Sequence, residues 1–178
     1  HRIARRQRQM CIRDSFGAEG NSEGLANNLG PGSLLIDMGT TSVLKTRAFA
    51  TKLEMSGSEW VDAPVSGGTT AAESGTLTIM VGGSDQAFQQ ALPWLQILGE
   101  RITHVGDTGA GQIAKSANQM IVGLTIAAVA EAFTLANANG VEPEKIREAL
   151  FGGFAHSRIL EPHGERMIKN DFQARAKC

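Results

Sequence analysis

The stretch Gly109–Gln119 reads GAGQIAKSANQ, and it separates two kinds of sequence. Upstream, short apolar runs alternate with segments of helical spacing and with glycine or proline turns; downstream the spacing is helical throughout. A change from strand and helix in alternation to helix alone marks a domain boundary, and the shift falls at Gly106 to Gly111. A glycine-rich turn runs from there into what the spacing predicts to be the longest helix, Gly109 to about Asn139. At about 3.6 residues per turn, Lys115, Asn118 and Gln119 stand at i, i+3 and i+4 and share a face. The opposite face is apolar: Ile113, Ala117, Met120, Ile121 and Leu124. Apolar character is nearly continuous from Met120 to Leu135, broken by Glu131, so the helix is expected to be buried on most sides, against further helices, its own or a second subunit's, that are not in this sequence.

Working upstream, Ile102 to Val105 reads as a strand. Its His104 is assigned no role, since a lone histidine in a short strand is more often structural than catalytic. Before it, Ser84 or Asp85 caps a helix through Leu98, with Phe88, Leu92 and Leu95 at helical spacing. Leu77 to Val81 is a strand closed by two glycines, and Thr69 to Ser74 a short helix. Trp60-Val61-Asp62-Ala63-Pro64-Val65 is a strand that runs into Ser66-Gly67-Gly68. Two glycines after a serine expose backbone N–H groups, a geometry suited to a carboxylate or phosphate; alone, the pattern is a turn signal. Leu34-Leu35-Ile36, closed by Asp37, is a buried strand, and Thr40, Thr41 and Ser42 are candidate N-caps for a helix to about Met55. A loop at the carboxyl end of such a strand is where ligands sit in open α/β sheets, although Thr40 and Thr41 equally suit plain capping. Leu25 to Leu29 and Pro31-Gly32 read as a helix end and a turn.

Downstream, Gly140 stops the long helix, Pro143 opens a helix over Glu144 to Phe151, and another spans roughly Arg158 to Lys169. The fold class is therefore α/β followed by all-α.

The bulk properties set bounds on function. A chain of 178 residues, 42% hydrophobic, can bury one good core and part of a second. No run of 18 apolar residues occurs, so no membrane span is expected. A net charge of −1 argues against a nucleic-acid footprint. That average hides an asymmetry: five arginines against Asp14 give residues 1–14 a net +4, leaving −5 for the rest. The basic segment HRIARRQRQMCIRDS could be read as a nucleic-acid arm or a targeting peptide, but it has no apolar h-region and no amphipathic face. RQMCIRDS also resembles the in-frame translation of a sequencing-library adapter, and residues 1–15 are set aside from the fold. The two cysteines, Cys11 and Cys178, lie outside every periodic segment, and neither a disulfide framework nor a metal site is indicated.

Three motifs in order, DAPVSGG at 62–68, GTLTIMVGG at 75–83 and GAGQIAKSANQ at 109–119, resemble the β-hydroxyacid dehydrogenases, the family of 3-hydroxyisobutyrate dehydrogenase. The likeness runs from Phe16 to about Phe172. Asn118-Gln119 and GGFAHSRILEPHGERMIKNDF at 152–172 are most similar to the branch that reduces tartronate semialdehyde to glycerate. The resemblance implies the C-terminal part of a Rossmann-like dinucleotide-binding domain at 16–107 and the start of an all-helical domain at 108–178. It implies Lys115 as the catalytic lysine and Ser66, Gly67 and Gly68 as the loop that holds the substrate carboxylate. Asn118, and less directly Gln119, would fix the substrate, and Thr40 would lie beside the nicotinamide of NAD or NADP. It further implies a small carboxylate substrate, a homo-oligomeric parent and a cytoplasmic setting, with no nucleic acid, membrane or metal.

Chemistry gives the lysine its reason. Hydride transfer at a carbonyl carbon is matched by a proton moving onto or off the oxygen. An ammonium stabilises the developing alkoxide and donates that proton; an amine takes it back in the reverse direction. Burial in an apolar wall would lower the lysine pKa from its ordinary value of about 10.4. The family's opening GxGxxG turn is missing before Phe16, and Gly17-Ala18-Glu19-Gly20 does not replace it. The sequence is thus expected to be an internal fragment that lacks most of the dinucleotide site and does not bind NAD(H) tightly. Two alternatives are kept: a non-catalytic member serving as an interaction or oligomerisation module, and another family substrate such as 3-hydroxyisobutyrate.

Overall fold

The computed structural model describes residues 29–173; the readings of residues 1–28, including Cys11, the basic segment and Gly17–Gly20, and that of Cys178, fall outside them. The chain divides into two units between Lys115 and Ser116, within the long helix and beyond the glycine turn where the sequence places the change.

The first unit is a five-stranded mixed sheet with helices on both faces. Its elements are β1 (Leu34–Asp37), α1 (Val43–Glu54), β2 (Glu59–Asp62), β3 (Val65–Ser66), α2 (Gly68–Ser74), β4 (Leu77–Gly82), α3 (Asp85–Leu98) and β5 (Gly99–Gly106). Strands β1 and β2 are parallel, as are β4 and β5, while β2 and β3 both run antiparallel to β4. Asp62 pairs with Gly82, Val65 with Ile79 and Ser66 with Thr78, and Met80 N–H donates to Pro64 O (3.0 Å). Those pairings share one register, so β2 and β3 continue each other from Asp62 to Ser66 beside β4, and the ladder is interrupted at Pro64, which has no N–H to donate.

Alternation assigns the two faces. Ile36 and Val61 pair in register and point one way, with Leu77, Ile79 and Val81 in the same cluster, where the Ala87, Ala91 and Leu95 stripe of α3 buries them. Leu35 and Trp60 point the other way, against Ala50 and Leu53 of α1. Ser84 caps α3 as expected, its hydroxyl accepting from Ala87 N–H (3.1 Å). Ser42 occupies the N-cap of α1 but makes no side-chain cap bond, so the hydroxyl run at 40–42 does less for that helix than its composition suggests. His104 stacks on Phe88 (4.5 Å) with its Nε2 2.8 Å from Gly83 O, a packed structural position.

The second unit contains the greater part of α4 (Ala110–Ala138), then α5 (Pro143–Leu150) and α6 (Leu160–Ile168). Its core is Val129, Phe133 and Leu160, with Ile146, Leu150, Phe151, Met167 and Ile168 packed around it. Gly140, at φ 72°, turns the chain out of α4, and Pro143 starts α5.

The apolar face of α4 from Met120 to Leu124 is not covered within the described residues, and its expected partners lie outside this chain: Met120, Ile121 and Leu124 are each about two-thirds exposed, at 67%, 67% and 69%. Val129, Phe133 and Ala136, a stripe at i, i+4 and i+7, are the part that is covered. Contrary to expectation, the lack of 18 consecutive apolar residues does not exclude a span. As one continuous helix, Ala110–Ala138 is long and apolar enough to cross a membrane by length and composition, because scattered small and hydroxyl residues barely lower its mean hydropathy.

Candidate active site

One row across the sheet collects the loops. Asp37 pairs with Asp62, Asp62 with Gly82, and Gly82 with Gly106, so four strands present neighbouring residues where the chain leaves β1, turns beyond β2 and exits β5. Two of those residues are carboxylates. Asp62 is fully buried, and its oxygens accept from the first turn of α4: Gly109 N–H to Oδ1 (2.7 Å) and Gln112 N–H to Oδ2 (2.9 Å). A buried carboxylate is tolerated where charge-assisted donors and a helix N-terminus meet it, and Asp62 has both. Burial pushes its pKa above the usual 3.8, and the N–H donors, Gly109 first, pull it back. Asp37 is also raised, mainly by burial and to a lesser degree by the Asp62 charge, against the Gly39 N–H that donates to its Oδ1 (2.9 Å).

This arrangement decides what the glycine turn before α4 can do. Gly106, Gly109 and Gly111 lead from a strand into a helix, as in phosphate-binding turns, but the donors at Gly109 and Gln112 are already taken by the Asp62 carboxylate, which would repel a phosphate. Gly111 has a packing role. A Cβ there would lie 2.4 Å from Met80 O and 2.7 Å from Asp62 O, so only glycine lets the helix approach the sheet.

The loop after β1 is tied to the same helix. Gln112, fully buried, donates from Nε2 to Gly39 O (2.9 Å) and accepts at Oε1 from Thr41 N–H (3.0 Å). Thr40 lies exposed between those two anchored peptides. Among the described residues, the loop at the carboxyl end of β1 is thus anchored on both sides of Thr40, while the Gly109 and Gln112 donors at the start of α4 are occupied by Asp62.

Lys115 is half-buried, and its Nζ donates to Val65 O (2.8 Å), the carbonyl immediately before Ser66. The lysine and the Ser66-Gly67-Gly68 turn are thus brought together within the first unit. Gly67 has φ 138°, and a Cβ on it would stand 2.5 Å from that of Ala71, so the tight entry into α2 depends on glycine. Asn118 and Gln119 follow on the same helix in the second unit, where Asn118 Nδ2 donates to Gln119 Oε1 (2.9 Å). Among the described residues, no group of three or more His, Cys, Asp or Glu is placed to hold a metal ion.

Sequence reasoning quoted Asp62 and Gln112 within motifs but gave neither a role. The signal for Asp62 was a carboxylate ending an apolar strand, repeated at Asp37. Gln112 left only a weaker one, an amide in the first turn of a helix.

The first unit is thus a Rossmann-like α/β fold, and the chain beyond it is helical. Residues 14–106 match the family model described as the NAD binding domain of 6-phosphogluconate dehydrogenase, and residues 109–178 that described as NAD-binding of NADP-dependent 3-hydroxyisobutyrate dehydrogenase. The chain belongs to the β-hydroxyacid dehydrogenase family that these two domains make up. It is 50% identical over 141 residues to 2-hydroxy-3-oxopropionate reductase of Escherichia coli (strain K12), covering 79% of this chain and 48% of that protein. It is 40% identical over 128 residues to 3-hydroxyisobutyrate dehydrogenase of Pseudomonas aeruginosa, covering 72% of this chain and 43% of that one. A crystal structure of 3-hydroxyisobutyrate dehydrogenase from Salmonella typhimurium superposes with TM-score 0.79 at 30% identity, over 89% of this chain and 56% of that one. The chain spans about half the length of the curated relatives it matches.

Proposed function

We propose that the protein carrying this sequence transfers a hydride between NAD(P)H and a small 3-oxo or 3-hydroxy acid, with tartronate semialdehyde reduced to glycerate as the leading reaction. The observation that carries this reading is the 2.8 Å bond from Lys115 Nζ to Val65 O, which puts the only lysine of the motif at the entrance to the Ser66-Gly67-Gly68 turn. The choice of substrate rests on the 50% identity to the Escherichia coli 2-hydroxy-3-oxopropionate reductase.

The bound nicotinamide supplies or accepts the hydride. Ser66, with the backbone of Gly67 and Gly68, holds the substrate carboxylate; Asn118 and Gln119 orient the substrate from the following turn of α4. Lys115, as the ammonium, gives its proton to the carbonyl oxygen as charge develops there, and as the amine takes the hydroxyl proton in the reverse direction. Thr40 would lie beside the nicotinamide end of the cofactor. In this reading the protein is cytoplasmic and homo-oligomeric, the bare face of α4 is covered by protein rather than lipid, and no nucleic acid is bound.

A non-catalytic member of the family would not need the lysine, whereas here Lys115 is present and held. In the full-length protein carrying this sequence, Lys115→Ala is expected to lower kcat by at least about a hundredfold, the scale of one general acid, with cofactor affinity nearly unchanged. Steady-state kinetics with a cofactor titration checks this, and undiminished turnover would sink the assignment.

A further inference from the structure

Gln112 is a costly residue to bury, since an amide moved out of water without partners loses several kilocalories per mole. Its side chain repays that at two points of one loop, and those points flank Thr40: Gly39 O accepts from Nε2 (2.9 Å) and Thr41 N–H donates to Oε1 (3.0 Å). The partners fix which way the amide faces, because a carbonyl only accepts and a backbone N–H only donates. Gln112 is held in turn by its own N–H on Asp62 Oδ2 (2.9 Å), and Lys115 stands one helical turn further on, bonded to Val65 O. The chain of bonds is thus continuous from the loop of Thr40, through Gln112, to the helix of Lys115.

Resting on the function proposed above, we propose that Gln112 is a positioning residue. It clamps the peptides on either side of Thr40 and so sets the cofactor-facing loop at a fixed separation from the catalytic lysine, touching neither substrate nor cofactor itself. A glutamine used only as filler would need partners, but not two on opposite sides of the one loop residue expected to meet the nicotinamide.

The test uses Gln112→Glu and Gln112→Met in the full-length protein. Glutamate has the same shape and still accepts from Thr41 N–H, but when ionised it cannot donate to Gly39 O. The charged groups linked to it are Asp62, which accepts from the Gln112 N–H, Asp37, which accepts from Gly39 N–H, Arg47, which donates to Thr108 O in the preceding turn, and Lys115 one helical turn further on. Burial and the two carboxylates raise the pKa of the introduced acid, so that it regains its proton, and with it the donor to Gly39 O, as pH falls from neutral. The KM for the nicotinamide cofactor in Gln112→Glu is therefore expected to rise roughly tenfold at neutral pH, the loss of one hydrogen bond, and to recover as pH falls. The KM for the 3-oxo acid stays near that of the parent. Gln112→Met, which loses both bonds, shows a rise at least as large, without recovery.

Amide hydrogen exchange supplies a readout independent of turnover. Thr41 N–H loses protection fully in Gln112→Met, which offers no acceptor, and in part in Gln112→Glu at neutral pH, where the ionised carboxylate repels Gly39 O and loosens the loop; Ala63 N–H, bonded to Asp37 O (2.7 Å), keeps its protection in both. Should Gln112→Met fail to fold, Gln112→Glu alone carries both measurements. An unchanged cofactor KM in a folded variant, equal losses in both KM values, or a pH profile identical to the parent's would each overturn the proposal. Lys115→Ala is run beside them: turnover surviving in that variant defeats the reaction itself, whereas its loss together with normal cofactor KM in the Gln112 variants defeats the positioning role alone.

Discussion

Helix α4 carries two contrasting stretches. From Gly109 to Lys115 the helix is fastened: Gly109 and Gln112 donate to Asp62, the Gln112 amide holds the β1 loop, and Lys115 donates to Val65 O. From Met120 to Leu124 it presents large apolar side chains that are mostly exposed. The fastened stretch is the more polar of the two, the reverse of what hydrophobic burial alone would produce. Position along the helix is therefore set at its start by directional bonds to one carboxylate and one loop. The apolar face beyond contributes little to holding this chain together.

The strongest way to break that contrast is Gly111→Ala. A methyl group at 2.4 Å from Met80 O must push the helix off the sheet and pull Gly109 and Gln112 away from Asp62, leaving a buried carboxylate short of donors. A loss of more than about 3 kcal/mol is expected in urea denaturation, against about 0.5 kcal/mol or less for alanine at an ordinary exposed helix position.

A smaller effect sharpens the electrostatic side. Asp37 has its pKa raised in the fold, first by burial and then by Asp62. A carboxyl whose folded pKa lies above its unfolded value contributes stability that is complete below that unfolded value, near 3.8, and is lost as pH rises through the raised one. Asp37→Asn keeps an acceptor for Gly39 N–H and removes the charge. The variant is expected to melt slightly above the parent at pH 7, with the gap closing below pH 3.8. A gap that widened on acidification would reverse the sign assigned to this group.

The smallest expected effect lies on the bare face. Leu124→Ala, at 69% exposure, should change the stability of this 178-residue chain by no more than about 0.5 kcal/mol. A loss of the 2–5 kcal/mol seen for buried leucine truncations would mean that the face is covered in solution, and would collapse the contrast on which this comparison stands.

Much of the fold was legible because its signals are local. Leu34–Asp37, Leu77–Gly82, the Ser84 cap, the Gly140 stop and the Pro143 start each follow from side-chain alternation or from the chemistry of a single residue. Lys115 and Ser66-Gly67-Gly68 were legible as motifs. Their meeting was not, since Val65 and Lys115 are 50 positions apart and no spacing rule connects them. What covers Met120, Ile121 and Leu124 was not legible, because hydropathy states what a face would gain by burial, not which partner supplies it.

By itself the sequence determined the order of strands and helices, the point near Gly111 where sheet gives way to helix, and the motifs that place the chain in its family. All of these depend on neighbours within a turn or a strand. Only the tertiary structure decided that Asp62 caps α4, that Gln112 holds the loop at Gly39 and Thr41, and that β2 and β3 keep one register against β4 across Pro64. Each of those is a directional bond or pairing between residues far apart in the chain. Its partner is chosen by how the sheet brings distant ends together, and no local pattern encodes that choice.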